Sequence, residues 1–205
     1  MNQIMNPDKS AAARYPISEV IRKRWSPRAF DPRPVEKEKL QQVFEAARWA
    51  PSSANDQPWR FLVGLKGDET WSGIHEALDE GNRAWTRDVP VLILAIGRKM
   101  REKVNRLNSY YAYDTGQSVA YLSLEATRIG LHVHQMAGFD QDRASLRFGI
   151  PPEYEPLTVI AAGYLGDPST LEEFQHKREI APRVRKPLEE LVFGSSFGKT
   201  SPLFE

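Results

Sequence analysis

Cysteine is absent from the 205 residues of this chain. Disulfides, thiolate nucleophiles and Cys-ligated zinc or iron–sulfur sites are therefore excluded. Long apolar runs are also missing, because none reaches the roughly 18 residues that indicate a membrane span. Residues 1–14 are polar and lack the apolar core of a secretory signal. We expect a soluble cytoplasmic protein with no membrane partner.

Neither sign of charge is in surplus, since 28 Lys and Arg residues balance 27 Asp and Glu residues and the formal net charge is +1. A nucleic-acid-binding protein normally carries a basic surplus, so we expect no nucleic-acid partner. The length is that of one domain with a sizeable core. We predict a flexible N-terminal arm over residues 1–14 and a single domain over residues 15–205.

Helical and strand patterns alternate along the chain, which predicts an α/β or α+β fold with four or five strands and several helices. The apolar positions of the helix predicted from Asp114 to Ile129 lie on more than one face, as in the central helix of a dimer. Further helices are predicted over residues 35–50, 69–85 and 141–148, strands over residues 61–65, 89–96, 131–140 and 158–164, and an edge strand within residues 183–193.

The loop of residues 51–58 is rich in small hydroxyl and carboxamide side chains, which belong to Ser52, Ser53, Asn55 and Gln57. Such groups on a proline-stiffened loop offer donors and acceptors to a flat ligand with polar edges. The same residue types also favour turns, so a helix stop followed by a plain turn is the alternative.

A second segment, residues 24–30, reads Arg-Trp-Ser-Pro-Arg-Ala-Phe. The guanidiniums of Arg24 and Arg28 flank the hydroxyl of Ser26, and together these groups can make several charge-assisted hydrogen bonds to a phosphate. A solvated basic turn is the alternative for this segment taken alone. The heptad 24–30 and the loop 51–58 are much more specific as a pair than either is separately.

As a pair, the heptad and the loop resemble the FMN-dependent nitroreductase family, and the resemblance extends from Ile17 to Phe193. It implies a nitroreductase-like α+β (α/β three-layer) fold, with a central mixed sheet of four to five strands flanked by helices, assembled as an intertwined homodimer. The further matching residues are Gly130-Leu131, Gly138-Phe139-Asp140, the Gly-Tyr-Leu-Gly run of residues 163–166, and Arg183 and Arg185 before Pro187.

The resemblance also implies an FMN site. The heptad would hold the phosphate and the pyrimidine edge, the pair of C-terminal arginines would complete the phosphate site, and a backbone N–H within residues 135–138 would reach flavin N5. The loop would lie against the flavin, largely from the other subunit. Many relatives carry Arg or His at the position of Trp25, where only a backbone contact would survive. The implied FMN-binding residues are Arg24, Trp25, Ser26, Arg28, Pro51, Ser52, Ser53, Asn55, Gln57, Gln135, Met136, Ala137, Gly138, Arg183 and Arg185, with Asn82 as a further candidate.

By the same resemblance, FMN accepts hydride from NADH or NADPH and passes electrons to a second substrate by a ping-pong mechanism. The acceptor would be a nitroaromatic, a quinone, a flavin or a similar small molecule. No catalytic side chain is implied, because the flavin carries the chemistry. Two alternatives stay open: a specialised branch of the reductive dehalogenase or oxygen-dependent flavin-cleaving type, and a flavin-binding protein without turnover.

Two features lie outside this resemblance. The segment 98–113 matches nothing that we can assign, and we expect it to help shape the substrate pocket. His132 and His134 alternate on a predicted strand and so face the same side, but no third ligand is spaced to complete a metal site. We expect these two imidazoles to pack in the core or at a dimer interface, and we predict no metal.

Overall fold

A computed structural model describes residues 8–102, 104 and 106–204 of the chain. At its centre, the strands β3 (Val91–Arg98) and β7 (Tyr154–Leu165) lie side by side. All 8 residues of β3 are buried, because both faces of the strand are covered, and this explains the unbroken apolar run from Val91 to Ile96. The strand β2 (Trp59–Leu65) pairs with β3, while β6 (His132–Met136) and β1 (Phe30–Asp31) pair with β7.

Helices cover both faces of this sheet. Alternate residues of β3 point to opposite faces, so Leu92 and Leu94 join one apolar core while Val91 and Ile93 join the other. The α-helices in the described residues are α1 (Glu19–Lys23), α2 (Lys37–Arg48), α3 (Glu69–Ala77), α4 (Glu80–Thr86), α5 (Tyr111–Arg128), α6 (Gln141–Phe148) and α7 (Glu173–Ile180). The first core contains residues of α3, α4 and α6, and the second contains residues of α2 and α5.

The predicted α+β class, its three layers and its four to five strands are confirmed by this arrangement. Among the described residues, every pairing in the five-stranded sheet is antiparallel, whereas the resemblance implied a mixed sheet. The helices predicted over residues 35–50 and 114–129 correspond to α2 and α5.

The single helix predicted over residues 69–85 is wrong, because the chain forms α3 and α4 with a break between them. At the break, Leu78 is extended, with φ −65° and ψ 148°, and its backbone bridges to Phe139. Asp79 then begins the second helix, because its carboxylate accepts a hydrogen bond from the Asn82 N–H at 2.8 Å. An Asp at this position satisfies an otherwise unpaired helical donor.

The edge strand predicted within residues 183–193 is also wrong. This segment contains a short 3-10 turn, Leu188–Glu190, and Phe193 makes one isolated bridge to Thr200. Pro187 has no N–H to donate to a sheet, which disfavours a strand through it. Helix α7 and the small hairpin of β4 (Met100–Arg101) and β5 (Arg106–Leu107) were not predicted.

The predicted flexible arm stays a prediction for residues 1–7, which lie outside the described residues. Lys9, by contrast, is buried: its ammonium group donates to the carbonyl of Ala181 and lies 5.2 Å from the centre of the Trp25 ring. None of the helices in residues 8–102, 104 and 106–204 combines the length and the apolar composition that a membrane crossing needs.

Candidate functional site

Three arginine side chains from distant parts of the sequence form a cluster, which consists of Arg24, Arg183 and Arg185. Burial, followed by the positive charges of Arg183 and Arg185, lowers the pKa of Arg24 from its ordinary value. Arg24 Nη1 donates to Ser26 Oγ at 3.2 Å. Among the described residues, none of the three forms a salt bridge with a carboxylate. The arginine cluster therefore carries uncompensated positive charge, which suits a bound phosphate.

The three guanidiniums differ in what else they bind. Arg183 Nη1 donates to the carbonyls of Lys9 at 2.6 Å and Arg22 at 3.1 Å, so this arginine also ties the N-terminal segment to the tail. Arg185 is exposed and donates to its neighbour, the Val184 carbonyl, at 2.8 Å. Arg24 is half-buried, and in the described residues its guanidinium makes one hydrogen bond, to the side chain of Ser26 in the heptad.

Arg28 occupies a different position from the arginine cluster. Its pKa is lowered first by burial and then by the charge of Arg178, and it is raised by the carboxylate of Glu179. Arg28 also lines a cleft of about 390 Å³ beside Trp85 and Arg87. The structure thus brings together three of the four predicted arginines and places the fourth next to a carboxylate.

Glu179, on α7, fixes the backbone of the heptad. Its carboxylate accepts hydrogen bonds from the Arg28 N–H at 2.9 Å and from the Ala29 N–H at 3.2 Å, and the residue is 1% exposed. Burial raises the pKa of Glu179, while these two bonds and the charges of Arg28 and Lys9 oppose that rise. Nothing in the charged tail sequence distinguishes this glutamate from its exposed neighbours, so the sequence did not identify it.

Strand β6 packs beneath the heptad through two histidines. His134 Nδ1 lies 2.7 Å from the carbonyl oxygen of Pro27, and because a carbonyl only accepts, Nδ1 carries the hydrogen. The His132 ring lies 6.2 Å from the Trp25 ring in an edge-on arrangement. Burial is the main reason that the pKa of each histidine is lowered to about 4, and the neighbouring arginine charges add to it. Both imidazoles are therefore neutral at neutral pH.

No group of three or more His, Cys, Asp or Glu side chains in the described part of the chain is arranged to hold a metal ion. The two histidines of β6 instead contact aromatic rings and a backbone carbonyl. Their contacts are those of packed, neutral side chains.

The segment after β6 is fixed mainly through its backbone. Gly138 O accepts hydrogen bonds from Asn82 Nδ2 at 2.9 Å and from the Asp79 N–H at 3.1 Å. A Cβ atom on Gly138 would lie 1.9 Å from Asp79 Oδ2, so only glycine fits there. Gln135 Nε2 donates to Ser123 Oγ on α5 at 2.7 Å, and Met136 is buried. Asn82 thus supports this segment, and Ala137 remains exposed.

The loop 51–58 has an unusual backbone. Ala54, Asn55 and Gln57 have φ values of 54°, 53° and 48°, in the left-handed region that asparagine tolerates better than most residues. Gln57 Nε2 donates to both the carbonyl and the side-chain oxygen of Asn55 at 3.1 Å, and the Gln57 N–H donates to Ser52 Oγ at 3.0 Å. The exposed carboxamides are therefore held in a fixed relation to each other.

In the described residues, no hydrogen bond or salt bridge joins the loop to the heptad, to residues 135–138 or to the arginine cluster. The two motifs also join the sheet at opposite ends. Phe30, at the end of the heptad, pairs with Leu165 of β7, whereas Trp59 pairs with Gly97, which pairs with Glu155. One chain therefore presents two separate groups of predicted FMN-binding residues.

The loop is attached instead to the segment 98–114. Arg98 and Asp56 form an ion pair with an Nη2–Oδ1 distance of 3.3 Å, and each side chain is 7% exposed. Asp114 Oδ2 accepts a hydrogen bond from the Ser53 N–H at 3.0 Å. Sequence reasoning missed these contacts of Arg98, Asp56 and Asp114, because local residue patterns do not show which distant residues face each other in the fold.

The sequence profile of the Nitroreductase family matches residues 21–78 and 65–164 of the chain. An uncharacterized 15.4 kDa protein of Mycolicibacterium smegmatis is 35% identical over an alignment of 147 residues that covers 68% of this chain and 97% of that protein. A Xanthomonas oryzae protein named as a candidate NADH dehydrogenase/NAD(P)H nitroreductase is 29% identical over an alignment of 185 residues that covers 82% of this chain and 92% of that protein.

Two solved structures share the fold over most of both chains. A crystal structure described as an oxidoreductase containing FMN superposes with a TM-score of 0.88 and 34% identity, covering 96% of this chain and 100% of that one. A nitroreductase family protein from Clostridium difficile 630 gives a TM-score of 0.68 and 30% identity, covering 87% and 98%. The implied nitroreductase-like fold is thereby confirmed.

Proposed function

The chain belongs to the nitroreductase family, and from this premise we propose that it is an FMN-dependent oxidoreductase. It would take hydride from NADH or NADPH and reduce a nitroaromatic, a quinone, a flavin or a similar acceptor by a ping-pong mechanism. The observation that carries the proposal is the arginine cluster, in which Arg24 and Arg183 are half-buried and none of the three cations has a carboxylate partner in the described residues. The crystal structure of an FMN-containing oxidoreductase with the same fold supports it.

The arginine cluster fits an FMN phosphate, which carries roughly two negative charges at neutral pH. Arg24 and Arg185 would bind it through charge-assisted hydrogen bonds, with the Ser26 hydroxyl beside them. Neutral His132 and His134 add no positive charge of their own beside the cluster. When bound, the flavin supplies the hydride-accepting atom.

The remaining residues of the proposed site orient the ring. The backbone of residues 135–138 is immobilised by Asn82, Asp79 and the ladder to β7, and it would present a fixed edge to the flavin. The exposed carboxamides of Asn55 and Gln57 would supply further polar contacts. Because the loop makes no described contact with the arginine cluster, we propose that a second copy of the chain brings it there.

Helix α5 supports the proposed homodimer. Within residues 112–121 the exposed residues of this helix carry no charge, and they are Ala112, Tyr113, Gly116, Ala120 and Tyr121. A cavity of about 480 Å³ beside this surface is lined by Gln135 and Thr158 as well as by Gly116. An uncharged helix surface with exposed tyrosines is typical of a protein–protein interface. The same surface adjoins the proposed flavin-binding segment through Gln135.

The visible absorbance spectrum of the purified protein, with chromatography of the heat-released flavin, tests the proposal. We expect FMN in an amount equal to that of the chain, together with NAD(P)H oxidation that accelerates when a nitroaromatic or quinone is added. A colourless protein that takes up no added FMN would overturn the FMN assignment. Bound FMN without NAD(P)H oxidation under any acceptor would instead identify a flavin-binding protein without turnover.

A further inference from the structure

The ion pair between Arg98 and Asp56 lies under the loop 51–58. Arg98 Nη2 also lies 3.4 Å from the carbonyl oxygen of Asp56, and its own backbone N–H donates to the Pro58 carbonyl at 2.9 Å. Asn108, with no exposed surface, donates through Nδ2 to Asp56 Oδ2 at 2.9 Å. The other acidic group facing Arg98 is Glu102, at 3.5 Å and with 73% of its side chain exposed. Asp56 is therefore held by two buried side chains.

This anchor lies in the middle of the strained part of the loop. Ala54 and Asn55 precede Asp56 and Gln57 follows it, and all three have positive φ. Left-handed backbone at residues other than glycine persists only where the surrounding structure enforces it. The buried side chain of Asp56 gives that enforcement, because any relaxation of its neighbours would move a carboxylate away from Arg98 and Asn108.

Two further contacts from the same part of the chain hold the start of the loop. Arg101 Nη2 donates to Ser53 Oγ at 3.0 Å, and the buried carboxylate of Asp114 accepts from the Ser53 N–H at 3.0 Å. The anchoring residues thus come from the end of β3, from the β4–β5 hairpin and from the start of α5. All of these residues except Asp114 belong to the segment 98–113, which matched no assignable motif.

We propose that Arg98 is a positioning residue that holds the loop 51–58 in its flavin-facing conformation, an inference that rests on the proposed function. Its guanidinium acts through Asp56 rather than on the flavin. With Arg98 in place, Asn55 and Gln57 stay paired and exposed at one fixed position. Without it, Asp56 would be left as a buried carboxylate with one neutral partner, and the loop would open to hydrate it.

Hydrogen exchange of the flavin-free protein tests the anchoring directly. Arg98→Met should accelerate exchange of the amides of residues 52–57 by at least about tenfold, because their bonds depend on the closed loop. Arg128→Met is the matched control, since Arg128 pairs with Glu125 on the exposed surface of α5. Arg101→Met, which removes only the contact to Ser53, should accelerate the same amides less. Unchanged exchange in the Arg98 and Arg101 variants would overturn the proposal.

A charge-removal series separates positioning from general destabilisation. The double variant Arg98→Met/Asp56→Asn has no buried unpaired charge, so its residues 52–57 should exchange more slowly than those of Arg98→Met alone. It should also bind FMN more tightly than Arg98→Met does. A double variant that is no better than the single one would refute coupling through Asp56. If the exchange results hold but the parent protein takes up no FMN, the proposed function fails while the anchoring of the loop stands.

Discussion

Removal of the Arg24 guanidinium should weaken FMN binding without weakening the fold. Arg24→Met keeps the apolar stem of the half-buried side chain and removes its charge and its N–H groups. A hydrogen bond to a charged partner contributes about 1.5–3 kcal/mol, so we expect the FMN Kd to rise by about 10- to 150-fold. Arg185→Met should raise it by less than about fivefold, because Arg185 is exposed and solvent screens its charge.

Arg24→Met should not lower the stability of the flavin-free protein, although it lowers the affinity for FMN. The pKa of Arg24 is lowered by its own burial and by the charges of Arg183 and Arg185, so the charged guanidinium is unfavourable where it stands when no anion is bound. Its removal relieves that repulsion. We therefore expect the Tm of flavin-free Arg24→Met to equal or exceed that of the parent protein, while the rise in Tm caused by added FMN becomes smaller.

Quenching of FMN fluorescence on titration gives the Kd, and thermal unfolding with and without FMN gives the two Tm values. Arg22→Met is the matched control, because Arg22 lies two positions away and pairs with Glu19 at 2.7 Å on the surface. Loss of this surface pair should change the FMN Kd little. If the FMN Kd of Arg24→Met were within about twofold of that of Arg22→Met, the arginine cluster would not be the phosphate site.

Two further predictions concern pH and assembly. The pKa of His132 and His134 is about 4 in the folded protein against an ordinary 6.5, so the unfolded chain binds more protons between these values and the free energy of unfolding should fall as pH falls through this window. The loss in the free energy of unfolding is up to about 3 kcal/mol for each histidine, and urea unfolding at several pH values measures it. His134→Asn should make the free energy of unfolding depend less steeply on pH. An unchanged pH dependence would contradict the lowered pKa of His134. Ala120→Glu should convert a dimer into a monomer that loses FMN, as measured by sedimentation and flavin content, while Gln41→Glu on the exposed face of α2 should change neither; a monomeric parent protein would refute the role of α5.

The parts of the fold that could be predicted from the sequence are those in which the local pattern of apolar residues indicates which positions are buried. The run Val91–Ile96 is apolar at every position because β3 is covered on both faces, and α5 shows apolar residues on several faces because it packs on α2 and on the sheet. The heptad and the loop were found through residue chemistry. Neither signal required knowledge of distant parts of the chain.

The wrong predictions and the missed residues concern features that depend on distant parts of the chain. The apolar residues Val184 and Leu191 indicated an edge strand, yet both are exposed, and no strand in the described part of the chain pairs with them. Arg98 and Glu179 were not identified, since each is one charged residue in a charged segment. Whether such a residue is buried depends on which distant residue faces it, and a single sequence holds no record of that pairing.

The buried charges of this protein are placed selectively. Four charged residues among the described ones are buried, and each contacts one of the two motifs, the heptad or the loop: Lys9, Glu179, Arg98 and Asp114. Lys9 packs on the Trp25 ring, and Glu179 holds the heptad backbone. Arg98 pairs with Asp56, and Asp114 accepts a hydrogen bond from the Ser53 N–H. Burial of a charge is unfavourable unless partners compensate it, and apolar residues would stabilise the fold at least as well. Their concentration under these two motifs is explained if each motif must keep one conformation, which is the requirement for two half-sites that close around a single flavin.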